Sequence, residues 1–200
     1  GLFLLVLVLL LYAAPPIEGG RLVAPFLVTQ ILLIALPAVI FAALWGRWAA
    51  RVLSLRPPRL SAVVGAALAG VGTPAATILL VALLERVFPR STENLVEHYA
   101  PVATAIFEQP WIMIPLLAAV PGVCEELLFR GPVLAGLRAR LGDGRAALVS
   151  GILFALAHLD VQGMVPRALL GVALALVVIH TGSLGPAMVL HTANNATALI

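Results

Sequence analysis

Seven apolar blocks divide the chain: Gly1–Ala14, Leu22–Trp45, Ala62–Leu84, Trp111–Phe129, Ala146–Leu159, Gly163–Thr181 and Leu184–Ile200. A helix needs about 20 mostly apolar residues to cross the hydrocarbon of a bilayer. In lipid every backbone polar group must find its partner within the protein, so a spanning segment is either a helix or a strand of a closed barrel. The period-two alternation of barrel strands is absent. The expected fold is therefore all-α, a polytopic transmembrane helical bundle of about seven helices. The first block is short and looks truncated, and it also resembles the core of a signal peptide without its basic start. The chain opens on Gly1 without a Met, as a cut N-terminus would.

Composition agrees. The chain is 62% hydrophobic and 10% charged, whereas soluble domains are about half apolar and about a quarter charged. No polar stretch is long enough to form a soluble domain. The 12 basic residues are all Arg and face 9 acidic ones. They are spread among loops rather than gathered on one surface, which argues against a nucleic-acid partner. The lone Cys124 permits no internal disulfide. An Arg-only chain rich in Ala, Leu, Gly and Pro fits a GC-rich bacterial gene, and hence a bacterial inner membrane.

Arg bias in short loops sets orientation. Arg47, Arg51, Arg56 and Arg59 follow the second block, and Arg130, Arg138, Arg140 and Arg145 follow the fourth. With seven helices both groups fall on one side, expected to be cytoplasmic together with the N-terminus. The longest loop, Glu85–Pro110, is expected to hold a short surface helix around Thr92–Phe107. Arg47–Leu55 reads as a second interfacial segment, anchored by Trp45 and Trp48.

Three places break the apolar pattern: Cys124-Glu125-Glu126-Leu127-Leu128-Phe129-Arg130, Phe154-Ala155-Leu156-Ala157-His158 and His191-Thr192-Ala193-Asn194-Asn195. An ionisable side chain in a membrane helix is costly and points to function. Residues four apart share a helix face, so Glu126 pairs with Arg130, Phe154 covers His158 and His191 lies beside Asn195. Glu125 is turned about 100° from Glu126 and is free to face a cavity. Glu125 and His158 lie symmetrically about Gly142-Asp143-Gly144, so a hairpin folded there sets them at equal height. His191 sits roughly 10 Å inside its helix, at a matching depth nearer the Arg-rich side. Pro121-Gly122 is expected to break the fourth helix and restart it, placing both acids in early turns where the dipole favours anions.

In this order on three helices, Glu-Glu-x-x-x-Arg, Phe-x-x-x-His and His-x-x-x-Asn resemble the CPBP family. These are the CAAX-protease and bacteriocin-processing (Abi) intramembrane endopeptidases, which include the Rce1-type prenyl-protein proteases. The resemblance covers roughly 111–200 and implies a catalytic core there, with 1–110 as N-terminal helices and loops of a single membrane domain. It implies that Glu125 and His158 deprotonate an attacking water, that His191 and Asn195 stabilise the oxyanion, and that Glu126 and Arg130 support the site. The implied partners are a peptide or protein substrate at or in the membrane, and the bilayer itself. The implied site faces the cytoplasmic side. Cofactor use stays open between none and a divalent metal such as zinc, for which Glu126, His158 and His191 are the candidate ligands.

Other readings stand beside this one. A non-catalytic scaffold, such as a bacteriocin-immunity protein, would use the same fold. A proton-coupled transporter would also carry membrane carboxylates, but no broken-helix pattern repeats in two halves. His98 and His180 lack motif partners and are assigned to a loop and a helix interface. A buried free Cys is usually inert, which disfavours a thiol nucleophile at Cys124.

Overall fold

The computed structural model describes residues 23–87, 92–161 and 163–200, which are almost wholly helical; the expected helix at Gly1–Ala14 lies outside them. Helix α1 runs as α-helix over Val23–Val28, widens to a π-helical segment over Thr29–Ala35, and resumes over Leu36–Ala43. A 3-10 turn Gly46–Trp48 and an α-turn Ala49–Val52 come next, with the Arg51 guanidinium 4.3 Å above the Trp48 ring. Then come α2 Leu60–Glu85, α3 Thr92–Glu108 in the expected loop, and α4 Pro110–Leu128. A π-helical stretch Phe129–Val133 leads into α5 Leu134–Leu141. Helices α6 Asp143–Leu156, α7 Met164–Thr181 and α8 Leu184–Ala198 complete the chain.

Among the described residues, four helices are long and apolar enough to cross a membrane: Pro25–Ala43, Leu60–Glu85, Pro110–Leu141 and Met164–Thr181. The blocks at Ala146–Leu159 and Leu184–Ile200 also fold as helices, but with 14 and 15 residues they are shorter than a full crossing. At 1.5 Å per residue such helices cover about 21–23 Å of a hydrocarbon core about 30 Å thick. For α8 the reason lies in its position, packed against α2, α4 and α7. A helix enclosed by protein need not reach both lipid surfaces. The outer helices do meet lipid: Leu68, Ile78, Leu79 and Leu83 of α2 are all exposed.

Two glycines set how closely α8 is held. A Cβ on Gly70 of α2 would come within 2.4 Å of the Leu190 carbonyl oxygen, and one on Gly122 of α4 within 2.3 Å of Thr192 Oγ1. Only glycine lets both backbones approach α8 this closely. Leu134, Ala146, Ala147, Leu174, Ala175, Val178, Leu184 and Leu190 close the core around them.

Both Arg-rich segments lie at one end of the bundle. Ser183 Oγ donates to the Arg56 carbonyl at 2.6 Å, and the Leu184 amide donates to the Ser54 carbonyl at 3.0 Å. Helices α6 and α7 form an antiparallel hairpin, so the start of α6 stands beside the end of α7. There Arg138 Nε donates to Asp143 Oδ1 at 2.7 Å, which holds this exposed carboxyl below its ordinary range.

The expected break at Pro121 does not occur. Helix α4 runs through Pro115 and Pro121, and the departure comes instead at Gly131, with φ −80° and ψ −113°. Gly131 precedes Pro132, whose ring disfavours the helical region for the residue before it. A Cβ at Gly131 would also stand 2.8 Å from the Leu53 side chain. Glu125 and Glu126 therefore occupy the last turn of α4, where the helix dipole does not favour anions. Their stabilisation has to come from partners.

Candidate active site

The two acids divide as their 100° separation dictates. Glu126 turns inward. Its Oε2 lies 3.1 Å from Arg130 Nε, one helical turn on, and both side chains are fully enclosed. Arg130 Nη2 also donates to the Gly171 carbonyl of α7 at 3.0 Å, and its guanidinium lies 4.7 Å from the Phe154 ring centroid. One ion pair thus ties α4 to α6 and α7. The other oxygen of Glu126, Oε1, accepts a hydrogen bond from His191 Nδ1 at 2.9 Å.

Glu125 faces the other way. Its Oε1 accepts from Gln30 Nε2 of α1 at 3.2 Å. Its Oε2 stands 3.8 Å from His158 Nε2 and 3.9 Å from His191 Nε2, with no hydrogen-bond partner among the described residues. These residues are deep: Glu126 is 0%, Arg130 1%, His191 3% and Glu125 7% exposed.

Both imidazoles are fixed by their Nδ1 contacts. His158 Nδ1 lies 2.8 Å from the Phe154 carbonyl, which can only accept, so this nitrogen carries the proton. The same reasoning puts a proton on His191 Nδ1 beside the Glu126 carboxylate. Each ring then offers its Nε2 to the single oxygen Glu125 Oε2. Phe154 holds both rings edge-on, with centroids 4.9 Å from His158 and 5.6 Å from His191. Phe154 is itself held edge-on by Phe129 at 5.3 Å.

His158, His191, Asn194 and Asn195 line one cavity of about 480 Å³. Asn195 Oδ1 accepts from Asn194 Nδ2 at 3.1 Å, which leaves the Asn195 amide nitrogen as a donor. The cavity continues past Val81 to the end of α6, the start of α7 and Ile200, where Arg167 Nη1 pairs with Asp160 Oδ2 at 2.5 Å. That is the end of the bundle remote from the Arg-rich segments. The expectation of a site nearer the Arg-rich side came from depth along the helices, which says nothing about where a cavity opens. Cytoplasmic Arg loops and a cytoplasm-facing cavity thus become separate expectations.

Of the residues singled out from sequence, Glu125, His158 and His191 meet at one oxygen. Asn195 lines the same cavity as the two histidines, and Glu126 with Arg130 stands behind them. Gln30 was missed. The available signal was an amide in the middle of an apolar block, where a polar side chain needs a partner. The metal ligand set Glu126, His158 and His191 does not fit a metal ion, because the two Glu126 oxygens are taken by Arg130 and by His191 Nδ1. Among the described residues no group of three or more His, Cys, Asp or Glu side chains is arranged to hold one.

Residues 107–197 match the family model described as type II CAAX prenyl endopeptidase Rce1-like. No curated protein and no solved structure matches the chain. The match spans all three motifs and the helices α4 to α8 that carry them. Over residues 107–197, a little under half of the chain, the protein is therefore similar to the CAAX-protease family.

Proposed function

We propose that this protein is an intramembrane endopeptidase that hydrolyses a peptide bond with water activated by Glu125 and His158. One observation carries the reading: a carboxylate oxygen without a hydrogen-bond partner among the described residues stands 3.8 and 3.9 Å from two imidazole nitrogens. Such separations are too long for direct hydrogen bonds and suit a bridging water. Two buried carboxylates, Glu125 and Glu126, share this site with a single guanidinium, that of Arg130, which pairs with Glu126. In a low-dielectric site that excess negative charge is costly. One proton shared among Glu125, His158 and His191 balances it, and a movable proton is what general acid–base catalysis requires.

In the proposed reaction Glu125 and His158 take a proton from water as its oxygen attacks the scissile carbonyl. The Asn195 amide, and His191 when it is protonated on both nitrogens, donate to the tetrahedral oxyanion. The proton then passes to the leaving amine. Glu126 and Arg130 hold His191 and the end of α4 in place. No step uses a metal ion. The substrate is a membrane-embedded or membrane-proximal peptide entering by the cavity beside Asp160, and the family description makes a prenylated C-terminal segment one candidate. The proposed location is a bacterial inner membrane.

The test is cleavage in proteoliposomes of two internally quenched probes, a farnesylated CAAX-box peptide and a transmembrane peptide. The parent protein is expected to cleave at least one. Glu125→Gln and His158→Ala are expected to lose about 100-fold or more in rate with unchanged thermal unfolding. A parent that cleaves neither probe, or variants as active as the parent, would overturn the reading in favour of a non-catalytic scaffold.

A further inference from the structure

Two polar residues, Thr29 and Gln30, sit side by side in the apolar block that forms α1. Thr29 is satisfied locally, its Oγ1 donating to the Pro25 carbonyl at 3.0 Å. Gln30 is buried and bonds across 95 residues, its Nε2 donating to Glu125 Oε1 at 3.2 Å. The direction of this bond is dictated by chemistry. The carboxylate accepts, so the amide must present its nitrogen and turn its own oxygen away. That oxygen, Gln30 Oε1, is buried and has no partner among the described residues.

The backbone around Gln30 is specialised for the contact. It lies at the start of the π-helical segment Thr29–Ala35. A π-turn adds a residue to the helical turn and rotates the later residues relative to their places in an α-helix, and such segments occur frequently at functional sites. The segment packs on α4. Ile34 and Ala38 join Cys124, Leu128, Phe129 and Phe154 in one buried cluster, so α1 is locked against the helix that carries Glu125.

We infer that Gln30 is a positioning residue of the active site, clamping one oxygen of Glu125 so that the other stays between His158 and His191. A carboxyl group without this contact can rotate about its last bond and exchange its two oxygens. With it, Oε2 alone faces the imidazoles. The free Gln30 Oε1 adds a second acceptor beside the site for a water molecule or a substrate amide. Gln30 lies outside the family match at 107–197, so the N-terminal helix completes a site that the matched residues do not close alone. This inference rests on the hydrolytic reading given above.

The test compares the parent, Gln30→Met, Gln30→Leu and Glu125→Gln in proteoliposomes with whichever quenched probe the parent cleaves. Methionine keeps the length and loses both polar functions. The expected result for Gln30→Met is a kcat about 10–100-fold lower, KM within about twofold, and unchanged thermal unfolding. An infrared difference spectrum of parent minus Glu125→Gln isolates the carboxyl band of Glu125, and Gln30→Met is expected to shift that band. If Gln30→Met does not fold, Gln30→Leu, a more compact side chain that also lacks the donor, is expected to show the same loss of kcat. Parental kcat in the folded variant, or an unmoved carboxyl band, overturns the inference. An inactive Glu125→Gln beside a fully active Gln30→Met sinks the role of Gln30 alone, whereas an active Glu125→Gln sinks the protease reading itself.

Discussion

Glu126 and His191 are 65 residues apart in sequence, yet Oε1 of the first accepts a 2.9 Å hydrogen bond from Nδ1 of the second. The bond fixes which His191 nitrogen carries the proton and aims the other at Glu125, 3.9 Å away. In the proposed reaction Glu126 thus orients the His191 imidazole while itself not lining the cavity. An amide at position 126 would still accept from Nδ1, but it would bring no charge and would turn its donor toward Arg130. Glu126→Gln is expected to lower kcat by about 100-fold or more, as loss of an orienting carboxylate does in hydrolytic triads. Steady-state cleavage of a quenched peptide reads this directly.

Arg130 separates structure from chemistry. It is enclosed with Glu126 and held by the Gly171 carbonyl. Removing one member of a buried pair strands the other charge, at a cost of about 3–5 kcal/mol. Arg130→Met is expected to destabilise the protein by that order. Glu126→Gln with Arg130→Met removes both charges and is expected to recover most of the stability without restoring activity. Unfolding in detergent and cleavage rate, measured on the same three variants, check both halves.

Asn195 is the donor that the geometry leaves available. Its Oδ1 is engaged by Asn194, and that bond leaves its own amide nitrogen free to donate into the cavity. Removing one oxyanion donor typically costs about 100–1,000-fold in kcat. Asn195→Ala is expected to show that loss with little change in KM. Asn194→Ala, which only frees the Asn195 amide to turn, is expected to lose less. Equal losses in the two variants would mean that the asparagines act through packing.

The sequence made the C-terminal site legible because its cues are local. Glu126 and Arg130 are one turn apart, and the hairpin about Gly142 sets Glu125 level with His158 by counting alone; the two side chains do approach to 3.8 Å. Three features escaped that logic. Gln30 meets its partner 95 residues away, which no periodicity reveals. Pro121-Gly122 reads as the break in the fourth helix, but the helix runs through it and the chain bends at Gly131, which precedes Pro132 and packs against Leu53. The length of α8 depends on its being enclosed by three other helices, a property of the bundle rather than of the segment.

The cavity and the Arg-rich segments lie at opposite ends of the bundle, which can be read without knowing the substrate. Val161 is 79% exposed beside the mouth, and Arg140 is exposed near the turn at Gly142. With the buried Cys124 changed to Ser as background, Val161→Cys and Arg140→Cys are expected to react with a membrane-impermeant thiol reagent from opposite faces of oriented vesicles. Labelling of both from the same face would refute this placement of the cavity.

The height of His191 against Glu126 is set by the approach of α4 to α8 at Gly122. An added Cβ there would lie 2.3 Å from Thr192 Oγ1 and 3.0 Å from the Thr192 amide nitrogen. The hydroxyl can rotate away, but the backbone of the residue next to His191 has to shift. Gly122→Ala is expected to lower activity several-fold and Gly122→Val to destabilise by about 1–3 kcal/mol, the usual cost of overpacking. Thr192→Ala removes the side-chain part of the clash and leaves the backbone part. In a double-mutant cycle the two changes should therefore couple, with Gly122→Ala costing less when Thr192 is already Ala. Strict additivity of the two, in cleavage rate and in unfolding, would show that this contact does not govern the position of His191.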